Sequence, residues 1–318
     1  MSMHRISLLP ALLSHTGLCG QLAGCRPVPP AQPSGELGPM AVLTGSITTM
    51  NAPVLHRWLN DLAVRHNIDY RYETTNTTQA QNRFLSNQVD FATTAVPLTA
   101  QQRHQAQRGV AEIPITTGPI AVAYNLPGCR LILTATQLTA LLEGRLHNFS
   151  QLGCQEQPLE LVVQRNPSGT TWNLSHGLAQ LVPGWRQRHG VGQSIAWPAT
   201  ALQGAGNEGS AGLLLAKRGR ITYLDAAHLR PPLQAAGLVS ADGRITGPDS
   251  DSGDYPLMAM GWILLHENGN GERLPALLTT LTSMLSSHGQ RQAEQLGNRR
   301  LPPELLDRAR SQLQGLRP

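Results

Sequence analysis

Leu159-Glu160-Leu161-Val162-Val163-Gln164-Arg165-Asn166-Pro167-Ser168-Gly169-Thr170-Thr171-Trp172-Asn173-Leu174 decides the fold. Leu159 to Val163 is a short β-branched run that reads as a strand, and Thr170 to Leu181 carries apolar residues at helical spacing. Between them lies a polar turn with Pro, Ser and Gly, the punctuation of a strand giving way to a helix. The same unit recurs on either side. Ala41-Val42-Leu43 is a strand, and Pro53 opens a helix whose face carries Leu55, Trp58, Leu59 and Leu62. Tyr70 to Tyr72 is a strand before a helix over 78–88, and Val89 to Ala92 is another strand. Ile113 to Tyr124 is a long extended run, Leu138 to Leu142 a helix, and Ile221 to Tyr223 and Trp262 to Leu265 are strands. Helices close the chain over 273–288 and 302–314. Alternating strands and helices, with no internal repeat, predict an α/β protein whose sheet is covered on both faces.

At 318 residues the chain is too long for one small core and suits two lobes. Hydrophobic residues make up 40% and charged residues 14%, so it can bury enough surface to fold. The formal charge of +5 fits an anionic partner, yet the arginines are dispersed, Lys217 is the sole lysine, and no basic run or aromatic RNA-binding signature is present. Nucleic acid is therefore not the expected partner.

The first 25 residues read as an export signal. His4 and Arg5 precede an apolar run from Ile6 to Leu18, too short to span a bilayer, which ends at Leu22-Ala23-Gly24-Cys25. This resembles a bacterial lipobox, which implies cleavage before Cys25 and acylation of its thiol; a plain secretory signal is the alternative. Residues 26–40, rich in Pro and Gly, read as a tether. With Cys19 inside the signal, Cys129 and Cys154 remain, and two cysteines in an exported chain favour a disulfide. They supply half a zinc site at most, so no metal is expected.

Three polar segments each precede a predicted helix: Thr48-Thr49-Met50-Asn51, Asn76-Thr77-Thr78 and Ser168-Gly169-Thr170-Thr171. A helix start offers free N–H groups and the positive end of the helix dipole, which suit an oxyanion. Gly169 lets backbone approach closely, and Arg165 adds a charge upstream. Ser, Thr and Asn before a helix are also ordinary caps, and this reading stays open for each segment alone. Asp225, Glu208 and His176 read as structural or surface groups. Ser168 lacks the Gly-x-Ser-x-Gly elbow of a nucleophile.

Longer stretches, running colinearly from about residue 42 to 314, carry a resemblance. They include Thr49-Met50-Asn51-Ala52-Pro53-Val54 through Trp58, Gln88-Val89-Asp90-Phe91-Ala92-Thr93-Thr94-Ala95-Val96-Pro97-Leu98-Thr99, and Gly118 to Gly128. Arg165 with Ser168-Gly169-Thr170, Trp197-Pro198, Gly206-Asn207-Glu208-Gly209 and Gly237 to Gly243 continue it. Together they resemble the periplasmic phosphate-binding proteins of ABC-type importers. The resemblance implies a two-lobed α/β "Venus flytrap" of the type II solute-binding class. Residues 41–120 plus 255–318 would form one lobe, 121–254 the other, with hinge crossings near 118–125 and 255–263.

It further implies that an anion is held by Thr49, Met50, Thr77, Ser168, Gly169 and Thr170, with Arg165 as the positive side chain and Thr78 as a neighbour of Thr77. Two acids of the family pattern are missing: Ala95 stands where the family has Asp, and Arg165-Asn166-Pro167-Ser168 lacks the second. That leaves a more electropositive site without an acceptor for the proton of hydrogen phosphate. The implied function is capture of phosphate or a similar oxyanion in the periplasm or cell envelope and delivery to an ABC permease. The protein would be a lipid-anchored monomer with no cofactor and no reaction. An envelope protein keeping the fold for sensing or adhesion is the alternative.

Overall fold

The protein is described by a computed structural model covering residues 41–165, 167–240, 242–250 and 255–318. The predicted signal segment 1–25, with Cys25, and the tether 26–40 lie outside the described residues. The first part of the chain alternates regularly: β1 Ala41–Thr48, α1 Ala52–His66, β2 Ile68–Thr75, α2 Thr77–Leu85, β3 Phe91–Thr94 and α3 Ala100–Gln105. The long strand β4 Ala111–Tyr124 leads to β5 Ile132–Leu133, α4 Ala135–Leu142, β6 Glu160–Gln164, α5 Gly169–Leu181 and α6 Trp185–His189. There follow β7 Leu202–Gly204, α7 Gly206–Ala216, β8 Arg220–Asp225, β9 Gln234–Ala235, β10 Gly237–Val239, β11 Ile245–Thr246 and β12 Met258–Leu265. Helices α8 Leu274–Met284, α9 Ser287–Gln295 and α10 Pro303–Leu313 finish the fold.

The main sheet runs β2-β1-β3-β12-β4-β8-β6-β7, with β9 beside β4. Its continuity depends on β4. Residues Ala111–Pro119 pair antiparallel with β12, and Ile120–Tyr124 pair antiparallel with β8. A bulge lies where Gly261 faces Thr116 and Trp262 faces Pro114. Proline cannot donate to a ladder, so Pro114 is accommodated at this irregularity. Strands β1, β2 and β3 are parallel, as are β6, β7 and β8, which places the helix-entry turns of each group at one end of its strands.

Two large cores flank the crossing. The first gathers Leu43, Ile47, Leu55, Trp58, Leu62, Ile113, Leu277 and Leu281. The second gathers Ile120, Tyr124, Leu138, Phe149, Val163, Leu174, Trp185 and Tyr223. This is a mixed α/β fold with a curled sheet and two lobes. Cys129 and Cys154 are bridged, with Cα atoms 5.5 Å apart. In the chain-entropy model a loop of this length contributes about 3 kcal/mol.

Two element readings are corrected, and two elements were not foreseen. The single helix expected over 273–288 is two: α8 ends at Met284, and Ser286 caps α9 by accepting from Gly289 N–H at 3.1 Å. The break brings Gly289 O within 3.0 Å of the Trp58 indole N–H, a buried contact 231 residues distant in sequence. The strand at 70–72 extends to Ile68–Thr75 because it pairs along the whole of β1. Finally, β7 and α7 carry Gly204, Gly206, Gly209 and Gly212, which dilute the apolar periodicity that would announce them.

Candidate oxyanion site

Strands β1, β2, β6 and β7 each lead into a helix whose entry borders the same cleft. After β1 the chain turns tightly: Thr48 N–H donates to Thr93 Oγ1 at 2.8 Å, Thr49 N–H to Thr75 O at 3.1 Å, and Asn51 N–H to Thr48 O at 3.0 Å. The Met50 side chain is buried and packs into the second core, so this turn belongs to the interface between lobes. At α2 the Asn76 side chain caps Gln79 N–H at 2.9 Å, and Thr77 is buried at the first helical position. At α5 Ser168 Oγ caps Thr171 N–H at 3.2 Å. The cap readings therefore hold for Asn76 and Ser168, and capping leaves other first-turn N–H groups without a partner inside the helix.

Seven predicted residues, Thr49, Met50, Thr77, Arg165, Ser168, Gly169 and Thr170, all line one cavity of about 880 Å3. Their available chemistry differs. Ser168 N–H donates to Gln193 O at 2.8 Å, and its hydroxyl donates to Gln164 Oε1 at 2.5 Å, so both its donors are engaged. Thr170 Oγ1 accepts from Asn207 Nδ2 at 3.1 Å and donates to Asn207 Oδ1 at 3.4 Å, a long and therefore weak bond. Arg165 is exposed, with its N–H donating to Gly204 O at 2.9 Å. Thr78 lies outside this set and reaches Gln193 Oε1 at 3.3 Å across the cleft.

The residues that hold this arrangement were not singled out by the sequence. Asn207, fully buried at the start of α7, accepts from Gln164 Nε2 at 2.7 Å and from Asp225 N–H at 2.9 Å while donating to Thr170. Gln164 N–H donates to Tyr223 OH at 3.2 Å, and Tyr223 OH bonds Thr171 Oγ1 at 2.7 Å. A fourth helix entry thus joins the site, at Ala205-Gly206. The signal for it was the Gly206-Asn207-Glu208-Gly209 stretch, which lacks the flanking periodicity of a helix. Behind the network, burial pushes the Asp225 carboxyl up to about 7, partly offset by the Ala227 N–H. Burial, aided by Arg230, pushes the His228 imidazole down to about 4.

The lobes touch at the cavity floor. Asn173 Nδ2 donates to Ala95 O at 2.8 Å. A Cβ on Gly169 would lie 2.6 Å from both Ala95 Cβ and Thr77 Oγ1, and one on Gly206 would lie 2.8 Å from Thr49 Oγ1. Ala95 itself is fully buried against Gly169, so the position where the resemblance expects an Asp adjoins the α5 entry. Among the described residues no group of three or more His, Cys, Asp or Glu is arranged to hold a metal.

Comparison with known proteins places this geometry. A model of the PBP superfamily domain matches residues 30–283. The chain is 23% identical over 314 residues to the phosphate-binding protein PstS of Xylella fastidiosa strain Temecula1, with 86% of this chain and 85% of that protein covered. It superposes on a putative phosphate ABC transporter substrate-binding protein with bound phosphate from Clostridium perfringens, at a TM-score of 0.66 and 14% identity. That match covers 82% of this chain and 100% of the other. A high-affinity periplasmic phosphate-binding protein (PfluDING) bound with phosphate matches at a TM-score of 0.71 and 15% identity, over 86% of this chain and 93% of its own. By a domain match over most of its length and a two-lobed fold shared with such proteins, the chain belongs to the PBP superfamily.

Proposed function

We propose that this chain is an exported solute-binding protein that captures inorganic phosphate, or a similar oxyanion, in its cleft and delivers it to an ABC permease. One observation carries the reading: Thr49, Met50, Thr77, Arg165, Ser168, Gly169 and Thr170, spread over 122 residues of chain, line a single cavity at the entries of α1, α2 and α5. Backbone N–H groups and Thr hydroxyls there supply hydrogen-bond donors, and Arg165 supplies charge. The Ser168 hydroxyl would redirect its hydrogen bond from Gln164 Oε1 to the anion. The names of the similar proteins support phosphate as the solute and an ABC transporter as the partner.

The lobes are assigned as 41–120 with 255–318, and 121–254. The division is supported by the two cores and by β4 and β12, where Met258 pairs with Pro119 and Ile120 N–H donates to Leu257 O at 2.7 Å. Closure about these crossings would present a ligand-bound surface to the permease. The protein acts as a monomer tethered by acylated Cys25 and residues 26–40, and it catalyses no reaction.

Calorimetric titration with phosphate, sulfate and arsenate tests the reading. Phosphate should bind one to one, and Thr170→Ala should weaken it about ten- to a hundredfold, because a hydrogen bond to a charged group contributes roughly 1.5–3 kcal/mol. Absence of binding to all three anions by the folded wild-type protein overturns it.

A further inference from the structure

The cavity is much larger than the anion its floor suits. Orthophosphate has five heavy atoms, and a water molecule's share of liquid volume is about 30 Å3, so the anion fills on the order of 100 Å3. The cavity measures about 880 Å3, within the range of roughly 300–1,000 Å3 that holds a small organic ligand. The cleft is partly open to solvent, and it is closed at its floor. There the lobes already meet through Asn173 and Ala95 O, Gly169 with Thr77, and Gly206 with Thr49. The space extends instead along one wall, formed by the end of β2 and the outer face of α2.

That wall has the wrong chemistry for a bare oxyanion and the right chemistry for hydroxyl groups. Asn76, Gln79, Asn82 and Arg83 recur along one face of α2, and all border the cavity. Gln79 Oε1 accepts from Asn76 Nδ2 at 2.9 Å and from the Thr75 hydroxyl, which orients the amide and leaves its NH2 end to donate. Asn82 offers both a donor and an acceptor from an exposed amide. At the far end Arg83 is paired with Glu73, so the wall carries no net charge. Alternating donors and acceptors satisfy hydroxyls, which both give and take a hydrogen bond, whereas an anion takes only donors.

We propose that the cleft accepts a phosphomonoester of a small polyol, with the phosphoryl group at the Thr49, Thr77 and Gly169–Thr170 entries and the hydroxylated part along the Gln79–Asn82 wall. The proposal rests on the oxyanion reading above and adds the organic half of the ligand. The bridging ester oxygen would face the wall, and the three remaining oxygens would face the helix entries.

The test titrates the full chain with inorganic phosphate, methyl phosphate and glycerol 3-phosphate. Wild-type protein should bind glycerol 3-phosphate within about tenfold of inorganic phosphate, and methyl phosphate more weakly than glycerol 3-phosphate. The double variant Gln79→Ala, Asn82→Ala replaces two exposed side chains, and its fold is checked by circular dichroism. It should lose about tenfold or more for glycerol 3-phosphate and change by less than about twofold for inorganic phosphate. Tight inorganic phosphate with glycerol 3-phosphate more than about a hundredfold weaker overturns the proposal and leaves the oxyanion reading intact. Equal loss for both ligands, or no loss for the ester, removes the wall from recognition. If no phosphate compound binds, both readings fall together.

Discussion

At the residue scale, Ala95 is the departure with the largest consequence. It lies at the end of β3, fully buried, against the first residue of α5. No carboxylate there can accept the proton of hydrogen phosphate, so sulfate, which has no proton to offer, meets no penalty from this position. Wild-type protein should therefore bind sulfate comparably with phosphate, and its phosphate affinity should change little between pH 6 and 8. Ala95→Asp should depress sulfate binding by at least a hundredfold, since an unpaired buried charge costs several kcal/mol, and depress phosphate much less. A competition titration on both proteins decides it: strong sulfate rejection by wild type would assign discrimination elsewhere.

Asp225 makes a separate prediction. Its folded value, about 7 against an ordinary 3.8, means that the native state holds a proton the unfolded chain has released, so stability falls with rising pH between those values. His228, about 4 against 6.5, acts in the opposite sense between about 4 and 6.5, where the unfolded chain holds the proton. The two largely cancel in wild type. In Asp225→Asn only the His228 effect remains, so the variant should gain on wild type as pH rises, on the order of 1 kcal/mol per pH unit across this window. Urea unfolding at pH 4.5 and 6.5 measures it; a gap independent of pH would refute the buried proton. The sequence read Asp225 as structural, and nothing local to Asp225 announces a shifted carboxyl.

At the scale of elements, the site is a meeting of helix entries, and the entries were legible to different degrees. Pro53 after Asn51, Asn76 before Thr77, and Ser168-Gly169 all mark helix starts through chemistry contained in a few residues. The α7 entry is marked only by glycine. Gly206 has φ of +68° and abuts Thr49, so it serves both the turn and the contact between lobes. Gly206→Ala should strain this turn by about 1 kcal/mol and push Thr49 from the cleft, lowering anion affinity about tenfold or more. Gly212→Ala in the same helix meets no atom within 4 Å and should leave binding unchanged while stabilising the fold by roughly 0.5–1 kcal/mol. Equal affinity for the two variants would show that the Thr49 contact does not shape the site.

At the scale of the molecule, the proposed lipid anchor would hold the cleft close to the proposed permease. Cys25→Ser should shift the protein from the membrane to the soluble fraction of cells, and an unchanged distribution would remove the anchor from the proposal. Composition and pattern alone determined the α/β class, the pairing candidates Cys129 and Cys154, and three of the four helix entries. These depend on periodicity and capping, which act over a few residues and are written directly in the chain. The family resemblance added which entries are expected to hold an anion. Only the tertiary structure decided that Asn207 bonds Gln164, 43 residues away, and that Asn173 bonds Ala95 O, 78 residues away. It alone placed Asp225 beyond the reach of solvent and opened a polar wall beside the anion floor. Burial and the distance between remote side chains are set by how two lobes pack around β4, and no local rule of sequence encodes them.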